Sequence, residues 1–155
     1  MYKLLVINPG STSTKIGVYN DDELIFEETI RHSSEELADY ERINQQKEFR
    51  KNLIIETLRG NGIDTKTFTA IVGRGGLTKP IESGTYLVNE AMLKDLRLGR
   101  MGEHASNLGG LIAHDIALEN QIQAYIVDPV VVDELQDVAR ISGIRRFKEL
   151  VSSMP

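Results

Sequence analysis

The sequence predicts an α/β domain whose mixed sheet opens with an antiparallel meander. Three observations predict it. Three short apolar or alternating runs, LLVI, IGVY and ELIFEETIR, follow one another at the start, separated by polar turns. From Ser34 onward apolar residues recur at helical spacing, and two brief buried runs, Thr69–Val72 and Ala124–Val127, punctuate them. Strands first, then helix and strand in alternation, specify a mixed sheet flanked by helices.

Each element follows in order. Lys3–Asn8 reads as a buried strand and Lys15–Tyr19 as its hairpin partner; Asn20-Asp21-Asp22 is a turn into a third strand, Glu23–Arg31. Ser34–Arg59 is helical in character, with Ser33 or Ser34 as its cap. Leu37, Tyr40 and Ile43 form one stripe; Phe49, Leu53, Ile54 and Leu58 form a second, stopped by Gly60 and Gly62. Thr69–Val72 is a short strand running into Gly73-Arg74-Gly75-Gly76. Asn89 caps a helix through Leu98, and Gly99 to Gly102 is loop. Leu108, Leu111, Ile112 and Ile116 predict a helix over Ser106–Asn120. Ala124–Val127 is a strand ending at Asp128-Pro129, and Glu134–Ile141 is a short helix.

At 155 residues the chain fits one domain, a size that buries roughly 68–70% of the unfolded surface. There is no cysteine, which excludes disulfides, a thiolate nucleophile and zinc–thiolate sites. The net charge of −5 argues against nucleic acid as a partner, because phosphate backbones are gripped by clustered Lys and Arg. Only Leu4–Ile7 is continuously apolar near the N-terminus, so no secretory signal is expected. No run approaches the ~20 apolar residues of a membrane helix. A cytoplasmic domain without membrane contact is the expectation.

The loop between the first two strands, Asn8-Pro-Gly-Ser-Thr-Ser-Thr-Lys15, is longer and more polar than a hairpin needs. It is not a Walker A loop: no second glycine precedes Lys15, Ile16 stands where Ser or Thr belongs, and a strand follows rather than a helix. Phosphate binding by other means is open to it. Gly10 permits close backbone approach. Ser11, Thr12, Ser13 and Thr14 offer hydroxyls. Lys15 supplies a point charge, and Asn8 can bond a ligand or a metal-bound water. The same composition suits an ordinary tight turn with solvated hydroxyls, and both readings stand at this point.

VINPGSTSTKIGVY resembles the first phosphate loop of the acetokinase family of carboxylate kinases. VGRGGLTKPIESGTYLVNEAM, MGEHASNLGGLIAHDIA and YIVDPVVVDELQDVARISG resemble its butyrate-kinase branch more than its acetate-kinase branch. The resemblance runs from residue 2 to about 144. It implies an actin-like (ribonuclease H-like) ATPase domain, one half of a two-domain kinase. It also implies transfer of the ATP γ-phosphoryl group to a short-chain carboxylate, with Mg²⁺. The residues from Asn8 and Gly10 to Lys15 would then bind nucleotide phosphates, and Asn8 and Asp128 would stand near the metal.

Three further residues suit that chemistry. Arg74, in its glycine frame, can clasp a carboxylate with two parallel hydrogen bonds, the glycines giving room for the substrate; a surface arginine in a turn is the plainer alternative. His104 lies just before a helix start, where the positive helix end favours a neutral imidazole that still donates an N–H. The resemblance makes it the family's active-site histidine, in contact with the transferring phosphoryl or acyl oxygen. Asp128 closes a strand at its carboxyl end, where α/β sheets meet ligands; by resemblance it lies near Mg²⁺, and otherwise it caps a turn. His32 is expected at a strand end and His114 on a helix flank, neither with a functional setting. Asp133 and Glu134 read as solvated. Val130-Val131-Val132 and Leu87-Val88 are core, or line an acyl pocket.

The family's chains are longer and carry a second domain with the adenosine pocket. Residues 1–144 are therefore expected to be the N-terminal actin-like domain and 145–155 a divergent tail of a truncated chain. Such a chain is expected to be nearly inactive alone, and to self-associate through a surface meant for its missing half. The alternatives are a non-catalytic phosphate-binding or partner-binding module, and a kinase acting on an alcohol.

Overall fold

The computed structural model describes residues 1–132; the helix expected at Glu134–Ile141 lies outside them, as do Asp133 and the 145–155 tail. One six-stranded sheet, in the order β3-β2-β1-β4-β6-β5, organises the chain. β1 (Lys3–Pro9), β2 (Ser13–Asn20) and β3 (Glu23–Arg31) form the antiparallel meander. β4 (Ala70–Arg74) lies parallel to β1, with Leu5 opposite Ile71 and Ile7 opposite Gly73. β6 (Gln123–Val127) lies parallel to β4, pairing Val127 with Arg74, and β5 (Thr85–Leu87) closes the far edge antiparallel to β6.

The pleat sorts the side chains. Leu5 and Ile7 of β1, Ile16 and Val18 of β2, Ile71 of β4 and Ala124 and Ile126 of β6 are buried. They share the core with Ile54 and Leu58 of α2 (Lys47–Gly60), Leu93 and Leu96 of α3 (Glu90–Leu98) and Leu108, Ile112 and Ile116 of α4 (Asn107–Glu119). Residues of opposite parity, among them Val6, Asn8, Lys15 and Arg74, occupy the other face of the sheet.

Caps set the helix ends. Ser33 and Glu36 form a reciprocal capping box at the start of α1 (Ser34–Ala38). Asn89 caps α3, and Gly99 ends it in the left-handed region at φ 59°.

The continuous helix expected over Ser34–Arg59 is broken. α1 stops at Ala38, and a 3-10 turn (Ile43–Gln46) precedes α2. Tertiary bonds hold the break: Arg42, extended at φ −127°, ion-pairs with Glu103, and Asn44 donates to the carbonyls of Leu96 and Arg97 at the end of α3. β5 was not expected either; a three-residue edge strand carries too few side chains to show a period.

Candidate functional site

β1, β4 and β6 run parallel, so their carboxyl ends fall along one edge of the sheet. Asn8, Arg74 and Asp128 all come from that edge: one from the last turn of β1, one ending β4, one just past β6. The start of α4 packs there too. A Cβ on Gly109 would lie 2.5 Å from the Arg74 carbonyl oxygen and 3.4 Å from Cδ of Pro9. His104, three residues before α4, is thereby brought to the same end of the molecule.

Asn8, Lys15 and Arg74 line a single groove of about 200 Å³ together with Val6, Gly17 and Glu27. Asn8 and Lys15 face each other across the β1–β2 ladder, and Lys15 ion-pairs with Glu27 of β3 at 2.9 Å. His104 and Asp128 are not among the residues lining it. A larger cavity, about 430 Å³, lies beside the end of α2 and the turn before β4 and is lined by Ile55, Arg59, Asp64 and Lys66. It sits at the amino edge of the parallel strands, away from where such sheets meet ligands.

The loop Gly10–Thr14 is fastened from beneath by a residue that sequence reasoning missed. Arg50 of α2 is buried to 1% exposure. Its Nη1 donates to the carbonyls of Gly10 (2.7 Å) and Ser13 (3.1 Å) and to Oγ1 of Thr14 (3.2 Å). Its Nη2 donates to the carbonyl of Ser11 (3.0 Å), and Gln46 Oε1 receives both Nη2 and Nε. No carboxylate is among these partners, and burial lowers the guanidinium's pKa to about 10, which leaves it charged at neutral pH. A signal was present: Arg50 precedes Ile54 by four residues and Leu58 by eight, on the face that α2 buries.

Thr14 corrects an expectation. It has the parity of Ile16 and Val18, is fully buried, and turns its hydroxyl inward to Nε2 of His32 at 2.9 Å. It is a support of the loop, not a ligand-facing group. Thr14 Oγ1 thus bonds both Arg50 and the His32 ring, linking loop, α2 and the end of β3. His32, just past β3, is buried against the edge of Phe49; burial first, and the Arg50 charge second, hold its pKa below the ordinary value, while Glu36 opposes them. Ser11 and Thr12 stay exposed and Ser13 half-buried. Gly10 makes no demand on the fold: a Cβ there would meet nothing nearer than the Ser13 carbonyl oxygen at 3.5 Å.

The glycines around Arg74 correct a second expectation. They give no room to a substrate, because protein fills it. A Cβ on Gly73 would come within 2.4 Å of the Gly109 carbonyl group, one on Gly75 within 2.2 Å of Pro129 Cα, and one on Gly76 within 2.7 Å of Leu96. Arg74 itself is the exposed last residue of β4 rather than a loop residue after it. Asn107, fully buried and missed from sequence, ties the region together by accepting from Leu77 N–H and donating to the Gly102 carbonyl.

His104 is exposed, and its Nδ1 accepts from the Ser106 backbone N–H at 3.2 Å, with Ser106 Oγ at 2.8 Å. The neutral ring therefore carries its proton on Nε2. Asp128, at φ 40°, uses Oδ1 to accept from Ser83 Oγ (2.8 Å) and Gly84 N–H (2.9 Å), so it does brace a loop. Leu87 and Val130 are exposed and Val88 is core, so the two apolar clusters do not act as units. His114 lies within α4. Among the described residues no group of three His, Asp or Glu is placed to cage a metal, and no helix is long and apolar enough to cross a membrane.

This fold has solved counterparts. The acetate kinase of Porphyromonas gingivalis superposes with a TM-score of 0.60 at 12% identity, covering 94% of this chain and 42% of that one. The chain thus shares the fold of part of that acetate kinase. No protein-family profile matches it. By sequence it is similar to butyrate kinases over about two-fifths of their length. It is 60% identical over 144 residues to butyrate kinase 1 of Clostridium acetobutylicum, covering 93% of this chain and 41% of that protein. It is 59% identical over 143 residues to a probable butyrate kinase of Clostridium botulinum (strain Eklund 17B / Type B), covering 92% and 40%. The chain spans about two-fifths of the length of these relatives.

Proposed function

We propose that this chain carries the phosphate loop and the acceptor-binding arginine of a kinase that moves the γ-phosphoryl group of ATP to a short-chain carboxylate, with butyrate the first candidate. The observation that carries the reading is the groove shared by Asn8, Lys15 and Arg74, two cations and an amide from three strands on the sheet face opposite the core. A carboxylate oxygen attacks the γ-phosphorus, the bond to the β-phosphate bridging oxygen breaks, and ADP leaves with that electron pair. The nucleophile is already an anion, so no base is required. What the protein must do is bring two anions together and balance the charge between them.

In this reading each residue has its role. Ser11, Thr12 and Ser13 hydroxyls and Lys15 receive phosphate oxygens, with Lys15 exchanging Glu27 for a phosphate. Arg74, unencumbered by its own glycine frame, holds the carboxylate in bidentate fashion. His104 offers Nε2–H to an oxygen of the transferring group. Bound magnesium would supply neutralisation of phosphate charge; Asp128, whose Oδ1 is committed to Ser83 and Gly84, leaves Oδ2 for it, and Asn8 adds an amide oxygen. One carboxylate and one amide suit an ion shared with the phosphates and water rather than caged by protein.

Residues 1–144 form the actin-like unit in this reading. A polypeptide limited to these 155 residues should convert butyrate negligibly, because it spans two-fifths of its relatives and a water-excluding cleft requires both walls. Hydroxamate trapping of butanoyl phosphate checks this; a rate near that of a full-length relative overturns it. Calorimetry tests the site itself. Butyrate should bind weakly, and Arg74→Ala should lower that affinity about tenfold or more while leaving magnesium pyrophosphate binding intact. Equal butyrate binding by both chains contradicts the assignment.

A further inference from the structure

We propose that Arg50 is a positioning residue for phosphate recognition: by drawing the carbonyls of Gly10 and Ser11 inward, it turns the amide N–H groups of Ser11 and Thr12 outward as the anion-receiving face of the loop. This rests on the reading of Gly10–Lys15 as a phosphate loop and adds to it a cause located on a different element, α2.

The geometry is that of the trans peptide. Its C=O and N–H point in opposite directions across a planar unit, and the chain has no cis peptide among the described residues. The carbonyls of Gly10 and Ser11 are both taken by Arg50, at 2.7 and 3.0 Å. The N–H groups sharing those two peptide planes belong to Ser11 and Thr12, and must point away from the guanidinium. Ser11 and Thr12 are exposed residues, and neither amide donates within the loop, whereas Gly10 N–H is spent on the Ser13 carbonyl. Successive outward amides form an anion-binding concavity. Without the guanidinium the same carbonyls would be free to swing outward and present negative ends to a phosphate.

The support is built as well as placed. Arg50, Thr14, Gln46 and His32 are all buried beneath the loop. Thr14 and Gln46 each bond the guanidinium, and His32 bonds Thr14, so the fork is held in one orientation. All of Arg50's acceptors are neutral, so its full positive charge sits under the loop uncancelled by any of its partners. A buried charge acts at low dielectric and over greater range than a solvated lysine. Lysine could keep the charge but not the planar fork that reaches several carbonyls at once.

The test is amide-resolved NMR of the 155-residue chain titrated with magnesium pyrophosphate, comparing wild type with Arg50→Gln and Arg50→Lys. In wild type the Ser11 and Thr12 amide protons should move downfield. Arg50→Gln should weaken pyrophosphate by about tenfold or more, the scale of lost charge-assisted hydrogen bonds, and erase those two shifts; Arg50→Lys should restore part of the affinity but not the shifts. If pyrophosphate perturbs Asn8 and Lys15 but not Ser11 and Thr12 in wild type, or if a folded Arg50→Gln binds as wild type does, the role of Arg50 is overturned and the phosphate-loop reading stands. If wild type shows no perturbation anywhere in the loop, the phosphate-loop reading itself fails. Should Arg50→Gln not fold, the wild-type amide pattern alone decides between these outcomes.

Discussion

Two glycine-bearing stretches of this chain look alike as sequence and differ as structure. Pro9-Gly10-Ser11 and Gly73-Arg74-Gly75-Gly76 both follow buried strands, and both suggest backbone bared for a ligand. In the second, every glycine is already met by protein: Gly109 packs on Gly73, Pro129 on Gly75, Leu96 and Asn107 on Gly76. In the first, a Cβ on Gly10 would make only ordinary contacts, with Ser13 at 3.5 and 3.6 Å, and its conformation needs no glycine. The same residue type thus answers to close packing in one place and to no steric demand in the other. What a Cβ would touch separates the two, and only the fold supplies that.

The comparison can be broken by substitution. Gly75→Ala should have the largest effect, since the added methyl meets the Pro129 backbone at 2.2 Å. Overpacking against main chain should cost about 2–4 kcal/mol and lower the melting temperature by roughly 5–15 °C. A melting temperature unchanged within a degree would show that the β4–Pro129 contact is not as close as described.

The support beneath the first loop gives a smaller, pH-dependent effect. His32 has its pKa held below 6.5 by burial and by Arg50. The unfolded chain therefore takes up a proton as pH falls through about 6.5 while the folded chain does not. Stability is full above that value and declines below it, by up to about 1.4 kcal/mol per pH unit until the folded pKa is reached. Urea unfolding between pH 7.5 and 5 measures the slope, and His32→Asn should flatten it; an equal slope in that variant would place its origin elsewhere. Glu36 and Glu48, whose pKa values are lowered by Ser33 and by Lys51 respectively, act below their ordinary range near 4.5 and do not confuse this window.

The smallest effect on stability should come from Gly10→Ala, within about 0.5 kcal/mol of wild type. If the loop binds phosphate as proposed, the same variant should still weaken pyrophosphate, because the methyl packs on Ser13 Oγ at 3.6 Å. Wild-type pyrophosphate affinity in Gly10→Ala would make Gly10 an ordinary turn glycine.

How much was legible follows the same division between local and tertiary causes. The β1–β2–β3 meander, α3 behind Asn89 and α4 with its Leu108–Ile116 stripe were readable, because period and caps are local. The break at residues 39–46 was not, since Glu103 and the end of α3 impose it from far along the chain. Arg50 escaped because an arginine is read as solvated by default, although its position on the Ile54–Leu58 face was visible. Thr14 could have been assigned inward from its parity with Ile16 and Val18, and Lys15 outward from its parity with Gly17. Composition called the loop's hydroxyls equivalent; the pleat makes them unequal.

The central claim is that Asn8, Lys15 and Arg74 serve one anion-gathering groove on the sheet face opposite the core. A crystal structure of the chain grown with magnesium pyrophosphate and butyrate tests it most directly. The account predicts a carboxylate on the Arg74 guanidinium in that groove and pyrophosphate oxygens on Lys15 and the Ser11–Ser13 loop beside it. Anions bound elsewhere, with Arg74 solvated and the groove free of both ligands, would contradict it.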